Sequence, residues 1–308
     1  MSLAPEIKAF LEASAAAALP QVWEASVDVI RKNTQSRPAL AGPVEPLQEV
    51  INRYIPSPTA DLPIRIYRPT SSDNAPAIIY FHGGGWVLNF LDIYDASLAR
   101  LANQSGATII SVNYQKAPEH PFPIPFDDCY ATLLWAIANA SELKIDATRI
   151  GVAGDSAGAN LASGVAIKAR DNHIPLAFQL LIYPCNDRDF TTDSYIQNAT
   201  GYGLSTQAMK WFWDQYLQGT AHDENPYAVP MRAKSFKNLA HSIVITAQYD
   251  PLLSDGEKYS ELLKRDGVGV TYTEYPGMIH GFFTNMAVTP TARVAIDSAA
   301  AEIKRITQ

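Results

Sequence analysis

Short apolar segments, rich in β-branched and aromatic residues, alternate with helical patterns along most of this chain. Two strand-like segments within residues 47–69 come first, and the later ones cover 77–81, 107–114, 149–154, 178–184, 242–250 and 270–276. Helical patterns cover 94–104, 127–140, 157–171, 255–266 and 291–306. Several apolar segments lack polar alternation, which is typical of strands covered on both faces. The alternation predicts an α/β fold with a mostly parallel sheet flanked by helices.

One interval interrupts this alternation and indicates the domain organisation. Residues 186–235 separate two predicted strands by far more than a crossover connection needs, and they are rich in aromatic side chains. We interpret them as an inserted, mainly helical cap segment. Residues 1–45 are also helical in pattern, with breaks at prolines, and we expect them to contribute to the cap. The predicted catalytic core comprises residues 46–185 and 236–308.

A serine lies between two glycines where a predicted strand is followed by a predicted helix. Residues Gly154, Asp155, Ser156, Ala157 and Gly158 form the pattern G-x-S-x-G. Between a strand and a helix, this pattern is typical of a sharp turn that projects the serine hydroxyl above a sheet. A phosphate loop or a dinucleotide-binding turn would need a different glycine and lysine pattern, which is lacking here. Ser156 is therefore the candidate nucleophile.

Three successive glycines follow the strand at residues 77–81, in the segment FHGGGW. Glycines cost conformational entropy, but they allow backbone amides to turn toward a ligand at close approach. A serine nucleophile needs such donors for the oxyanion that forms on attack. We assign the amides of Gly83, Gly84 and Ala157 to this oxyanion hole. His82 is interpreted as a hydrogen-bonding residue that shapes the loop.

The serine also needs a base, and in the fold that carries this turn the chain order is Ser, then Asp or Glu, then His. Of the six histidines, only His280 follows a late strand and has a suitable acid between it and Ser156. That acid is Asp250, at the end of a strand; Asp255 is the alternative, although its position favours capping of the next helix. In the predicted triad, His280 accepts the serine proton and Asp250 orients the imidazole.

Aromatic side chains are the candidates for the substrate pocket. Trp86 lies beside the glycine loop, and the inserted segment contributes Trp211, Phe212, Trp213 and Tyr216. Four aromatic residues within six positions cannot all face one side of a helix, so some of them must pack in the core. The net charge of −7 favours a neutral, apolar substrate.

Five segments together resemble the bacterial hormone-sensitive-lipase family of α/β-hydrolase carboxylesterases. They are HGGGW at 82–86, YQKAPEHPFP at 114–123, GDSAGANLA at 154–162, YDPLLSDGE at 249–257 and HGFF at 280–283. The resemblance implies an eight-stranded sheet and a helical cap. It also implies hydrolysis of short- to medium-chain esters by a serine carboxylesterase through an acyl-enzyme. The family's triad and oxyanion amides carry over onto the residues assigned above.

Some residues depart from the family's pattern. Asn89 stands where glycine is usual, and asparagine tolerates the left-handed backbone better than most residues. Gln115 and Lys116 stand where Arg and Leu are usual. That exchange removes an expected ion pair near Glu119 or Asp127. These changes leave the chemistry intact and leave the substrate preference open.

Composition narrows the function classes. No Lys- or Arg-rich run indicates a nucleic-acid surface, the two cysteines form neither a disulfide framework nor a metal motif, and no apolar run suggests membrane insertion. We expect a cytoplasmic enzyme that needs no metal or cofactor and acts on a small-molecule ester. An edge strand near residues 270–275 is a candidate for homodimer pairing.

Three alternatives to the carboxylesterase remain. An arylformamidase or other amidase, or a lactonase, would use the same triad with a different cap. A non-catalytic small-molecule receptor resembles this family but lacks its histidine, and the presence of His280 argues against it.

Overall fold

A mostly parallel sheet is the frame of the fold. The structure is a computed structural model that describes residues 2–69 and 73–308. Its strands are β1 (Glu49–Pro56), β2 (Asp61–Arg68), β3 (Ala75–Phe81), β4 (Thr108–Val112), β5 (Ile145–Asp155), β6 (Phe178–Ile182), β7 (His241–Tyr249) and β8 (Val270–Ile279). They form one sheet of eight strands in the order β1-β2-β4-β3-β5-β6-β7-β8. Only the β1–β2 and β2–β4 pairings are antiparallel within the described ranges. The predicted fold class is confirmed.

The central strands are apolar because helices cover both faces of the sheet. All five residues of β4 and all five of β6 are buried. The helices are α1 (Pro5–Ala16), α2 (Val27–Asn33), α3 (Pro38–Ala41), α4 (Asp95–Ser105), α5 (Ile124–Ala138), α6 (Ala157–Asp171), α7 (Asp193–Gln197), α8 (Thr206–Leu217), α9 (Leu253–Arg265) and α10 (Thr291–Thr307). Buried residues of α5, α6 and α9 pack on one face, and those of α4 and α10 pack on the other.

The carboxyl ends of the parallel strands bring distant parts of the chain together. β3 leads into the glycine loop, β5 into Ser156, β7 into Asp250 and β8 into His280. Ligand sites of open α/β sheets lie at this edge, outside the carboxyl ends of the strands. Helices α1–α3 come from the N-terminal segment, and α7 and α8 come from the inserted segment. Both segments contribute to the space above Ser156, as shown below.

Two further features concern the surface of the molecule. No helix in the described part of the chain combines the length and apolar character that crossing a membrane requires. β8 lies at one edge of the sheet, beside β7 alone. Pairing of two copies through this edge stays a prediction.

Candidate active site

Ser156 occupies the turn between β5 and α6 with φ 55° and ψ −121°. L side chains rarely adopt this backbone conformation, so the surrounding structure must hold it in place. Its amide donates to the carbonyl oxygen of Ile182 at 2.8 Å. A Cβ atom on Gly154 would lie 2.3 Å from the Gly158 carbonyl, and one on Gly158 would lie 1.9 Å from the carbonyl oxygen of Phe81. Both glycines are therefore required by close backbone approach.

His280 connects Ser156 to Asp250. Its Nε2 lies 2.9 Å from Ser156 Oγ, and its Nδ1 lies 2.7 Å from Asp250 Oδ2. Asp250 is fully buried, and its Oδ1 accepts the amide of Leu252 at 2.9 Å. An ionised carboxylate only accepts hydrogen bonds, so it favours the tautomer with the proton on Nδ1. Nε2 is then the free acceptor that faces the serine hydroxyl.

Asp255, the alternative acid, lies elsewhere. It is the third residue of α9 rather than its cap, and its Oδ2 accepts the amide of Asp187 at 3.2 Å. Burial raises the pKa of the Asp255 carboxyl well above its ordinary value, and the negative charge of Asp187 adds to the effect. The structure thus pairs His280 with Asp250 and not with Asp255.

The inserted segment supports the loop that carries Asp250. Asn198 donates from Nδ2 to the carbonyl oxygen of Asp250 at 3.1 Å. Ser194 Oγ donates to the carbonyl oxygen of Pro251 at 2.6 Å and accepts the amide of Ser254 at 3.1 Å. Sequence reasoning missed these two supporting side chains, because Asn and Ser are common at helix ends and in turns and no motif marks them.

The glycine loop differs from the prediction at Gly83. The Gly83 amide donates to Asp155 Oδ1 at 2.8 Å, so it is not available to a substrate. Among residues 2–69 and 73–308, the amides of Gly84 and Gly85 donate to no protein acceptor, and both glycines line the cavity above Ser156. Their φ values of +110° and +61° favour glycine. The assignment of Gly83 was wrong; Gly84 keeps its place as a candidate donor, and Gly85 joins it.

Ala157, the third predicted oxyanion residue, begins α6 directly after the serine. The amide of a first helical residue has no intrahelical acceptor, and it lies at the positive end of the helix dipole. Within the described ranges, the Ala157 amide donates no hydrogen bond to another protein group. It is free to donate to a ligand beside Ser156.

Asp155 ties the glycine loop to the nucleophile turn. Besides the Gly83 amide, its carboxylate accepts the hydroxyls of Tyr80 at 2.9 Å and Tyr94 at 3.3 Å. Burial raises the pKa of Asp155 to about 6, although the hydrogen bonds from Tyr80 and Gly83 act in the opposite direction. Sequence reasoning gave this residue no role. The available signal was an acidic residue placed among small and apolar ones at the end of a buried strand.

His82 and Asn89 shape the same loop. His82 is fully buried, and its Nδ1 lies 2.8 Å from the carbonyl oxygen of Gly83. Burial lowers the pKa of His82 to about 3, which keeps the ring neutral. Asn89 has φ +68°, the left-handed backbone expected for it. Its Nδ2 donates to the Gly83 carbonyl at 3.2 Å and to the Tyr94 hydroxyl at 3.0 Å, contacts that a glycine could not make.

Glu119 has an ion-pair partner from elsewhere in the chain, Arg31 of α2. The two guanidinium nitrogens Nη1 and Nη2 lie 2.7 and 2.8 Å from the carboxylate oxygens. Arg31 also donates to the carbonyl oxygens of Val87 and Ala117, at 2.9 and 3.0 Å. The N-terminal segment is thereby joined to the chain just after the glycine loop. Gln115, which stands where arginine is usual, donates from its backbone amide and its Nε2 to Asp128 Oδ2 at 2.9 and 3.2 Å, so position 115 supplies no charge for an ion pair. The sequence pattern did not indicate Arg31, because this partner comes from a distant part of the sequence.

A cavity of about 350 Å³ lies above Ser156 and His280. The N-terminal and inserted segments supply most of its apolar wall, with Phe10, Leu11, Val22, Leu40, Leu204, Ala208, Met209 and Phe212. Of the five aromatic residues predicted for the pocket, Phe212 alone lines this cavity in the described part of the chain. No group of three or more His, Cys, Asp or Glu residues there is arranged to hold a metal ion.

The other predicted aromatic residues pack away from the cavity. Trp86 stacks on Tyr216 with ring centroids 4.3 Å apart and planes 1° apart, and it lies 4.5 Å from Trp213. These three side chains are fully buried. Trp211 is partly buried and packs edge-to-face with Phe212, with ring centroids 5.2 Å apart. The assignment of these four residues to the pocket was wrong. The face of α8 that bears Ala208, Met209 and Phe212 lines the cavity, whereas Trp213 and Tyr216 contact Trp86 on another face.

A parallel sheet that presents a serine turn, a histidine and an aspartate at the carboxyl ends of its strands defines an α/β hydrolase. A family model described as the alpha/beta hydrolase fold matches residues 78–284. The chain belongs to this family, in its branch similar to hormone-sensitive lipase.

Known relatives agree on the class of reaction. The carboxylesterase NlhH of Mycobacterium tuberculosis is 39% identical over 250 residues, which cover 80% of this chain and 78% of the relative. An arylesterase of Saccharolobus solfataricus is 34% identical over 283 residues, which cover 92% of each chain. The solved structure of a hyperthermophilic esterase from the archaeon Pyrobaculum calidifontis superimposes with a TM-score of 0.94, at 37% identity and 99% coverage of both chains. The protein is a carboxylic ester hydrolase.

Proposed function

We propose that this protein is a serine carboxylesterase that hydrolyses short- to medium-chain esters through Ser156, His280 and Asp250 and an acyl-enzyme. The observation that supports this proposal best is the unbroken hydrogen-bond path from the serine hydroxyl through the imidazole to a buried carboxylate, at the floor of a cavity. A serine hydroxyl is a weak nucleophile alone, and an adjacent base activates it.

In the first half-reaction, Ser156 Oγ bonds to the ester carbonyl carbon while its proton passes to His280 Nε2. The carbonyl oxygen takes the electron pair, and the resulting oxyanion is stabilised by the amides of Gly84, Gly85 and Ala157. Asp250 holds the imidazole and stabilises its positive charge. When the intermediate collapses, the bond to the alcohol oxygen breaks, and the alcohol leaves with the proton from Nε2.

In the second half-reaction, water attacks the acyl-enzyme and gives its proton to Nε2. The bond between the acyl carbon and Ser156 Oγ then breaks, the serine recovers its proton, and the carboxylic acid is released. Each turnover therefore consumes one ester and one water and yields one acid and one alcohol.

The walls of the cavity support a substrate of limited size. Apolar side chains from residues 1–45 and 186–235 enclose about 350 Å³ above the serine. We propose these two segments as the cap of the enzyme. Their contacts suit an apolar acyl or alcohol chain of a few carbons, and a much longer chain would have to displace the walls.

The test is a chain-length series of ethyl esters from acetate to decanoate, run in parallel on the unmodified protein and on Ser156→Ala. We expect the variant to lose at least about 10⁴-fold in kcat, as for other serine triads. Ser163→Ala is the matched control, because Ser163 lies on α6, the helix that follows Ser156. Its hydroxyl donates to the Ala159 carbonyl and accepts from Asn186, and it has no hydrogen bond to the triad in the described ranges. Retained activity in Ser156→Ala would contradict the mechanism. Anilides of the same acids, hydrolysed as fast as the esters, would show an amidase instead.

A further inference from the structure

Arg37 places an unpaired cation at the cavity above the proposed triad. It lies just before α3 and is one of the residues that line the cavity. Its one side-chain hydrogen bond in the described ranges runs from Nη1 to Asn89 Oδ1, at a long 3.4 Å. A guanidinium has five N–H donors, so most of those on Arg37 have no protein acceptor.

Most other arginines of the chain differ from Arg37 because they pair with a carboxylate. In the part of the chain that the structure describes, each of the other arginines except Arg293 has a carboxylate oxygen within 4.0 Å. Arg293 donates to the carbonyl oxygen of Met286 and does not line the cavity. In residues 2–69 and 73–308, no carboxylate lies within that distance of Arg37. A chain with an acidic excess, 31 acidic against 24 basic residues, thus leaves one arginine unneutralised at its cavity.

The surroundings of Arg37 place it one side chain away from the glycine loop. Asn89, which Arg37 contacts, donates to the carbonyl oxygen of Gly83, and its side chain would lie 2.9 Å from a Cβ on Gly84. One side chain therefore separates the guanidinium from the glycine loop. The other titratable residues on the described part of the cavity wall are Asp155, whose carboxylate is buried and accepts three donors, His280 of the triad, Tyr94 and Cys185.

We infer that Arg37 binds an anionic group on the substrate, and that the preferred substrates include esters that carry a carboxylate on their acyl or alcohol chain. A guanidinium pairs with a carboxylate through two parallel N–H···O bonds, which gives orientation as well as affinity. Apolar walls would hold the chain between the ester and the charged end. This inference rests on the proposed esterase function, and it replaces the neutral substrate that the net charge favours.

The experiment compares matched pairs of esters in a pH-stat at low ionic strength. Monoethyl adipate and ethyl hexanoate test the acyl side, and 4-acetoxybutyrate and butyl acetate test the alcohol side. We expect Arg37→Gln to lower kcat/KM for at least one of the two anionic esters by about five- to tenfold through KM, while the neutral esters change less than twofold. Added NaCl should reduce the anionic preference of the unmodified protein.

Two further variants keep the result interpretable. Arg293→Gln removes the other arginine that has no carboxylate within 4.0 Å among the described residues. It should leave the ratio of anionic to neutral turnover unchanged. Arg37→Glu should reverse the ratio and favour an ester of choline over its uncharged analogue. An equal loss for neutral and anionic esters in Arg37→Gln would show that Arg37 only positions Asn89, and would overturn the inference. Failure to hydrolyse any ester would instead refute the proposed function.

Discussion

Phe212 and Trp213 are neighbours in α8, but Phe212 lines the cavity and Trp213 lies in the core. Replacing each of them by alanine therefore distinguishes a contribution to substrate binding from a contribution to stability. Phe212 lines the cavity above Ser156, whereas Trp213 is fully buried against Trp86 and Tyr216 at 4.5 and 6.1 Å between ring centroids. The structure therefore predicts that Trp213→Ala lowers the free energy of unfolding far more than Phe212→Ala. It also predicts that Phe212→Ala alone changes the substrate profile.

The expected size follows from the buried surface. An aromatic side chain buries about 150–250 Å², and at about 25 cal/mol per Å² this contributes about 4–6 kcal/mol. Measured losses for Trp→Ala in protein cores are about 3–5 kcal/mol, and we expect Trp213→Ala to fall in that range. Phe212 borders space that is already open, so its removal enlarges a cavity instead of creating one. We expect it to cost less than half as much, about 1–2 kcal/mol.

The assay is urea unfolding followed by circular dichroism, combined with kcat/KM for ethyl esters of increasing acyl length. Trp213→Phe is measured as well, because it keeps an aromatic ring and gives a result if the alanine variant does not fold. Phe212→Ala should shift the preferred acyl length upward, and both Trp213 variants should leave it unchanged. Equal losses of stability in the two alanine variants, together with an altered profile in a Trp213 variant, would refute the division between core and pocket.

Three other changes test particular contacts. The folded-state pKa of Asp155, about 6, lies above the ordinary 3.8, so the folded chain binds more protons than the unfolded chain. The free energy of unfolding should therefore fall by about 3 kcal/mol as pH rises from about 4 to above 6. Urea unfolding of Asp155→Asn should lack this fall, and an identical fall in the variant would show that Asp155 does not cause it. A double-mutant cycle of Arg31→Gln and Glu119→Gln should give a coupling of about 1 kcal/mol or less that salt reduces, because the two side chains are 29% and 51% exposed. Gly158→Ala should abolish activity or folding, since its Cβ would lie 1.9 Å from a backbone oxygen of Phe81; normal activity and stability would show that the turn can relax.

The sheet could be predicted because its determinants are local. Apolar segments of β-branched residues between helical patterns mark the strands, and the observed β6 at Phe178–Ile182 lies inside the predicted 178–184. β5 begins earlier than predicted, at Ile145 instead of residue 149, because its first residue pairs with Ala75 across a shift in register. Such a pairing depends on a neighbouring strand that lies far away in the sequence.

The site was harder to predict wherever a distant residue competes for a group. Gly83 has the right local pattern for an oxyanion donor, but a carboxylate 72 positions later takes its amide. The ion pair of Glu119 depends on an arginine 88 positions away. For α8, the helical period separates Phe212 from Trp213 and Tyr216, but the period alone does not tell which face meets the core. These choices are made by tertiary packing, which local patterns do not specify.

One residue that departs from the family's pattern, Asn89, lies on the wall of the cavity above Ser156. Asn89 fills a position usual for glycine, and its side chain contacts both the glycine loop and Arg37. The triad residues follow the carboxyl ends of three strands, β5, β7 and β8, and are not part of the segments above the cavity. Those segments nevertheless form hydrogen bonds close to the site. Arg31 donates to the Val87 carbonyl just after the glycine loop, and Asn198 donates to the Asp250 carbonyl. A substitution in the N-terminal or inserted segment can therefore alter substrate preference by changing the cavity wall. It can also alter turnover by removing the hydrogen bonds of Arg31 or Asn198. Separate measurement of KM and kcat distinguishes these two effects.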